Sequence, residues 1–323
     1  MKKIRYKVVS MVLIVAVAAF MLAPMSAVKA SAASGISQTG ATATSISLSW
    51  VPQAYAINYR VLYGTDYNSL AQVGGNLPKT ATSATISGLT AGTEYYVKVV
   101  YDYQYSPTST VTQYTAGSDY LRTMPDKVTG VNQTQWWYYI KVLDIGWTKQ
   151  TGADRYQYEV TDSKGAIKAQ GETSYNSNSV SVSKISNNMV YTVRVRAIST
   201  IMGVPQVGEW SEVGYCFTQP HLDEKGCYVR VSGGQLQVKF PKVTGATGYD
   251  IMVSTKAKTG YVVAKSLSSS KNSASISKVA GKKVKNGKKY YVYVVAKKKV
   301  GDITYTSGKL YYWNTKTKSL GYF

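Results

Sequence analysis

LTAGTEYYVKV (residues 89–99) places a branched apolar residue, Leu89, six positions before a tyrosine, Tyr95, across a turn that holds Gly92. It then runs on with alternating apolar and polar positions, the period of a half-buried strand. The same six-residue interval returns as Ile185/Tyr191 and Val284/Tyr290. Upstream of each pair a large aromatic stands nine residues before another tyrosine: Trp50/Tyr59, Trp147/Tyr156 and Phe240/Tyr249. Repetition of one spacing along a chain marks repeated copies of one structural unit. The flanking segments agree. SISLSW (45–50) puts Ile46, Leu48 and Trp50 on one face, and YRVLY (59–63) does the same for Tyr59, Val61 and Tyr63. Copy two repeats the plan with YIKVLDIGW, YQYEV, ISNNMVY and YTVRVRAIS; copy three repeats it with LQVKF, YDIMV, VKNGKKY and YYVYVVAKK. Copy three is longer between Lys265 and Lys283, where a loop absorbs extra residues at small entropic cost.

Composition points the same way. The chain holds 29 Tyr against 4 Phe, so its aromatics keep strand propensity and apolar area while a hydroxyl meets water. Ser, Thr, Val and Tyr dominate between turn signals, and no amphipathic helical window stands out. The expected class is all-β, as three sandwiches.

The first 30 residues read as a secretory signal peptide. Lys2, Lys3, Arg5 and Lys7 head a run without charge from Val8 to Val28, followed by small residues that suit cleavage after Ala30 or Ala32. The competing reading is an uncleaved anchor, against which Pro24 and the Ala/Ser cluster argue. No later stretch is long and apolar enough to span a membrane. The expectation is an exported protein, with no membrane span after cleavage.

Charge is distributed very unevenly. Residues 31–125 carry 4 basic and 4 acidic side chains, and residues 126–220 carry 9 and 8. Residues 221–323 carry 20 basic against 4 acidic, so one copy holds most of the net charge of +22.

The early Trp, the Tyr-x-Val strand and the corner Leu-x5-Tyr together resemble the fibronectin type III domain. The resemblance implies tandem immunoglobulin-like sandwiches over residues 34–124, 125–220 and 221–323, after a signal peptide at 1–30. It implies that Trp50, Trp147 and Phe240 are core aromatics. Leu89/Tyr95, Ile185/Tyr191 and Val284/Tyr290 would then form tyrosine corners, with each hydroxyl reaching back to backbone. GEWSE (208–212) is similar to the last-strand segment of such domains. Lysine-rich copies of this type look like those on secreted proteins of Gram-positive bacteria. The fold is a general extracellular scaffold and says little about a ligand.

Catalysis finds little support. The lone histidine, His221, sits beside Pro220 in the linker YCFTQPHLDEKGCY, without a nucleophile partner, and no paired carboxylates, phosphate loop or zinc-protease helix occur. No cofactor is implied. Cys216 and Cys227 flank that linker, and two readings stay open: a disulfide that closes it, or two reduced cysteines. Their spacing with His221 and Asp223 matches no zinc pattern.

The strongest lead is basic. GKKVKNGKKYYVYVVAKKKVGD (281–302) gathers Lys282, Lys283, Lys285, Lys288, Lys289, Lys297, Lys298 and Lys299 around a strand. Alternation from Tyr290 points Tyr291 and Tyr293 outward, where tyrosines rimmed by lysines would stack on sugars and attract polyanions. The competing reading is a solubilising face. The expected partner is an anionic cell-wall polymer or glycan, with another surface protein as a further candidate. Export argues against nucleic acid as the physiological target. The tyrosines of YDYQYSPTSTVTQYTAGSDY (101–120) form a second aromatic region, readable as a glycan or protein contact or as ordinary hairpin covering.

Overall fold

The computed structural model describes residues 35–201 and 203–323, so the expected signal peptide lies outside the described residues. Those residues form strands, turns and loops, with no helix among them. The first copy contains β1 (Ile36–Ala41), β2 (Ser45–Trp50), β3 (Ala56–Asp66), β4 (Ser69–Gln72), β5 (Leu77–Pro78), β6 (Ser83–Ser87), β7 (Glu94–Tyr103) and β8 (Thr112–Arg122). The second contains β9 (Asn132–Trp137), β10 (Val142–Gly146), β11 (Arg155–Asp162), β12 (Ile167–Glu172), β13 (Ser179–Val182), β14 (Met189–Ile201), β15 (Val204–Val207) and β16 (Gly214–Thr218). The third contains β17 (Tyr228–Ser232), β18 (Gln235–Lys239), β19 (Gly248–Ser254), β20 (Val262–Ser268), β21 (Ser273–Ile276), β22 (Lys278–Val279), β23 (Lys282–Lys283), β24 (Tyr291–Val300), β25 (Ile303–Thr306), β26 (Tyr311–Asn314) and β27 (Ser319–Tyr322).

Each copy pairs a three-stranded sheet with a larger one. The small sheets run β1-β2-β6, β9-β10-β13 and β17-β18-β21. The larger sheets centre on β3 and β7, on β11 and β14, and on β19 and β24, all antiparallel. Alternation in SISLSW is realised as expected, with Ile46, Leu48 and Trp50 buried. Two compact units result: one holds most of the first copy together with Thr200–Gln206, and the other holds Ala91–Thr93 and the rest of the second and third copies.

The repeated spacings have a direct cause. In each copy the buried strand tyrosine accepts a hydrogen bond from the backbone N–H three residues after the core aromatic: Gln53 N to Tyr59 Oη (2.6 Å), Gln150 N to Tyr156 Oη (2.7 Å) and Val243 N to Tyr249 Oη (2.8 Å). The nine-residue interval is therefore the length of chain that brings the aromatic under the tyrosine ring. Ring centroids lie 5.5, 5.3 and 4.9 Å apart in the three copies. The six-residue interval is the tyrosine corner. Thr90, Ser186 and Lys285 each donate a backbone N–H to the hydroxyl of Tyr95, Tyr191 and Tyr290, at 2.9, 3.0 and 3.1 Å. Leu89, Ile185 and Val284 are buried beside them. A buried ring with a satisfied hydroxyl contributes apolar area without an orphaned polar atom.

Within the second unit, copies two and three share packing. Val190 and Phe217, from strands β14 and β16, belong to the core of the third copy. Backbone hydrogen bonds from Val190 N to Thr244 O and from Thr244 N to Asn188 O, both 2.8 Å, tie the two copies edge to edge. Gly245 (φ +86°) allows this approach, because a Cβ there would lie 2.7 Å from the Cβ of Ser163.

Candidate functional site

The third copy carries its lysines in two groups rather than one. Lys282, Lys283, Lys285, Lys288 and Lys289 are all exposed on the β22–β23 hairpin and the corner that follows it, and exposed Lys278 joins them. The tight turn at Ala280 (φ 49°) and Gly281 (φ 76°) folds the hairpin back, so Lys278 pairs across to Lys283. Lys297, Lys298 and Lys299 sit at the far end of β24, about 20 Å along the strand from its start. Lys297 is not a free cation, since its Nζ donates to Asp250 Oδ1 at 2.7 Å. Lys298 is half-buried and Lys299 exposed. The continuous basic strip expected from the sequence is thus replaced by one dense cluster and a smaller distant one.

Tyr291 and Tyr293 require a correction. They do point away from the sandwich core, which takes Tyr290, Val292, Val294 and Ala296 as the alternation predicts. Yet they are only 7% and 4% exposed. A second layer covers them. Tyr293 packs against Tyr261 (4.9 Å) and Phe323 (5.2 Å), and Tyr291 against Tyr312 (5.3 Å). The C-terminal hairpin β26–β27 supplies Tyr312 and leads into Phe323, with Gly321 lying under the Tyr312 ring, where a Cβ would lie 2.5 Å from it. Buried rings cannot stack on a sugar, so these two tyrosines are structural.

The linker also differs from one of its two readings. Cys216 and Cys227 are free thiols. Cys216 lies on β16 inside the core of copy two, and burial pushes its thiol up to about 12. Cys227 is half-buried outside that core, its thiol also raised, first by burial and then by Glu224. Aromatic packing closes the linker instead. The His221 ring is 1% exposed, stacked on Tyr138 (4.0 Å between centroids, 13° between planes) and flanked by Tyr311 (4.4 Å) and Tyr139 (5.4 Å). Its Nδ1 meets Asp223, whose other oxygen accepts from the Tyr139 hydroxyl at 3.2 Å. The Tyr311 hydroxyl donates to the carbonyl of Pro220. Asn188 donates to both oxygens of Glu224, at 3.0 and 3.1 Å. Burial, then Glu224, raises the Tyr138 and Tyr311 hydroxyls well above the usual phenol range, so both stay neutral donors.

Some arrangements had no legible sequence signal beyond isolated residues. Trp210 in GEWSE lies under two guanidinium groups, those of Arg194 (4.5 Å) and Arg196 (4.4 Å). Ser211 and Ser307 occupy matching places in copies two and three. Each hydroxyl accepts a strand N–H, from Val195 and Ala296 respectively, at 3.0 Å. WWYYI (136–140) leaves Trp137, Tyr139 and Ile140 exposed at the β9–β10 turn.

The fibronectin type III domain model matches residues 31–115. Among solved structures, the chain is similar to a two-domain fibronectin type III segment from chicken tenascin, at 19% identity, covering 57% of this chain and 97% of that chain with a TM-score of 0.34. It is also similar to the FN1–FN3 domains of chicken CNTN1, at 14% identity, covering 87% of this chain and 96% of that chain with a TM-score of 0.30. No curated protein matches. Residues 31–115 thus match the fibronectin type III domain model, and the described residues form a tandem array of β-sandwiches.

Proposed function

We propose that the protein is a secreted, non-enzymatic binding or spacer protein of the cell surface, and that its basic third copy contacts an anionic envelope polymer. The observation that carries this reading is the exposed cluster Lys278, Lys282, Lys283, Lys285, Lys288 and Lys289 on a copy with 20 basic and 4 acidic residues. A general need for solubility would not leave residues 31–220 almost neutral while loading one corner of the third copy. Lysines on a short hairpin present mobile point charges, which suit a flexible phosphate- or carboxylate-bearing polymer better than a rigid bidentate ligand.

The test separates the nearly neutral first copy from the other two. Residues 31–123 and residues 124–323 are produced separately and passed over beads carrying poly(glycerol phosphate) or a neutral glucan. The division keeps copies two and three together, because the third core needs Val190 and Phe217. Retention on the anionic beads is expected for 124–323 alone. Equal retention of residues 31–123 would remove the basis of the assignment.

A further inference from the structure

The first copy carries a continuous row of tyrosines that runs from its core to its surface. Tyr59, fully buried, touches Tyr101 (6.0 Å between centroids), which stacks on Tyr114 (5.8 Å, 29°). Tyr114 meets Tyr103 edge-on (5.7 Å), Tyr103 meets Tyr55 (5.8 Å), and Tyr55 meets Tyr105 (5.2 Å). The outer members are open to solvent: Tyr55 is 55% exposed, Tyr105 67% and Tyr114 49%. The row is fixed rather than loose. Gln104 donates its backbone N–H to the Tyr55 carbonyl (3.1 Å), and its side-chain amide holds the turn carbonyl of Ser109 (3.1 Å). Tyr55 itself sits at φ 57°, a left-handed backbone that a bulky aromatic rarely adopts. Strain of that kind persists only where surrounding structure enforces it, and here it holds a ring in the row.

The surroundings are equally particular. No charged residue occurs from Val51 to Tyr59 or from Tyr103 to Ser118, the two segments that form this end of the copy. Around the rings stand amides, hydroxyls and the exposed apolar side chains of Ile57 and Val111, while Asp102, between Tyr101 and Tyr103 in the chain, is paired with Arg60 at 2.6 Å. The two segments themselves offer an anionic polymer no cation, and most protein surfaces bring charges that would find no partner in them. An uncharged, hydroxyl-rich ligand matches on both counts. Its ring C–H faces lie on the tyrosine faces, and its hydroxyls meet the amide and hydroxyl groups. The rings stand in ordinary aromatic contact, 5.2–5.8 Å between centroids, and turn their faces in different directions, with 76° between Tyr55 and Tyr103 and 51° between Tyr55 and Tyr105.

We infer that Tyr55, Tyr105 and Tyr114, backed by Tyr103 and Tyr101, form a binding surface for a neutral polysaccharide. This surface is separate from the lysine cluster and works without it. The first copy would hold uncharged glycan while the third holds anionic polymer.

The test uses the full chain and four probes: powdered cellulose, powdered chitin, cellohexaose and chitohexaose. The wild-type protein is expected to be retained on at least one powder and to bind the matching oligosaccharide. Affinity should change less than about twofold between about 0.05 and 0.5 M salt, because no ion pair is involved. The triple variant Tyr55→Ala/Tyr105→Ala/Tyr114→Ala should bind about tenfold more weakly or less. Tyr105→Ala alone, the most exposed position, should show an intermediate loss and guards against misfolding of the triple variant. A variant with Lys282, Lys283, Lys285, Lys288 and Lys289 changed to Gln should keep wild-type glycan affinity, so failure here and failure of the anionic-polymer reading are told apart. No binding of the wild type to any of the four probes would overturn the inference. So would undiminished binding by the triple variant, or a saturable protein ligand that needs these tyrosines while no glycan does.

Discussion

The hydroxyl of Tyr191 accepts the N–H of Ser186 at 3.0 Å and reaches its carbonyl at 3.3 Å, closing the corner from which β14 departs. Removing only that oxygen, in Tyr191→Phe, leaves the ring buried and should cost about 0.5–1.5 kcal/mol. Removing the indole in Trp147→Ala empties the core beneath Tyr156 and should cost about 3–5 kcal/mol. Urea denaturation followed by tryptophan-independent far-UV signals checks both, and equal costs would show that the hydroxyl rather than the ring bears the load. The two thiols give a second test at this scale. Cys216, fully enclosed and raised to about 12, should resist alkylation at pH 8 until the protein unfolds, while half-buried Cys227 should react first. Mass spectrometry of partially alkylated protein reads the order directly, and recovery of a linked Cys216–Cys227 peptide from non-reduced protein would contradict it. The corner and core residues were legible because a fixed spacing repeated three times expresses a fixed geometry. The state of the cysteines was not, since spacing leaves open whether a strand turns one of them into the core.

Strand alternation correctly divided β24 into a core-facing set and an opposite set, yet it assigned the opposite set to solvent. The missing piece was a second layer. Period-two patterning reports which side of a sheet a residue lies on, and it carries no information about what else covers that side. Here Tyr261, just before β20, Tyr312 on β26 and Phe323 just past β27 provide the cover, brought together by the pairing of β24 with β26 and of β26 with β27. Deleting residues 311–323 should therefore expose Tyr291 and Tyr293 and also remove Tyr311 from the His221 stack. The expected outcome is a lower melting temperature with increased binding of a hydrophobic dye. An unchanged melting temperature would mean that the hairpin is dispensable. The lysines show the complementary effect. Their sequence proximity is genuine for the β22–β23 hairpin, while the first six residues of β24 separate the group at Lys297 from it.

At the scale of the whole chain, copies two and three share a core boundary, two backbone hydrogen bonds and the His221 stack. They should unfold as one cooperative body, with the first copy separate, giving two calorimetric transitions rather than three. Gly245→Val would force the edge apart against Ser163 and should split the larger transition. Three well-resolved transitions in the unaltered protein would show that the shared packing is energetically minor. That sharing was hidden from the sequence because neither Pro220 nor His221 says which rings the fold will bring against the linker. Only the fold brings Tyr138 from one copy and Tyr311 from the other onto its ring. The uneven charge, by contrast, was fully legible, since it depends on composition alone.

The central functional claim rests on that charge, and one measurement meets it most directly. The affinity of the full chain for soluble poly(glycerol phosphate) is determined from about 0.05 to 0.3 M salt, for the wild type and for the variant with Lys282, Lys283, Lys285, Lys288 and Lys289 changed to Gln. Exposed substitutions of this kind should leave stability within about 0.5 kcal/mol each, so the comparison reads binding rather than folding. The account predicts that wild-type affinity falls steeply with salt and that the variant binds at least about tenfold more weakly at the lowest salt. A variant that binds as tightly as the wild type, with the same salt dependence, would contradict it.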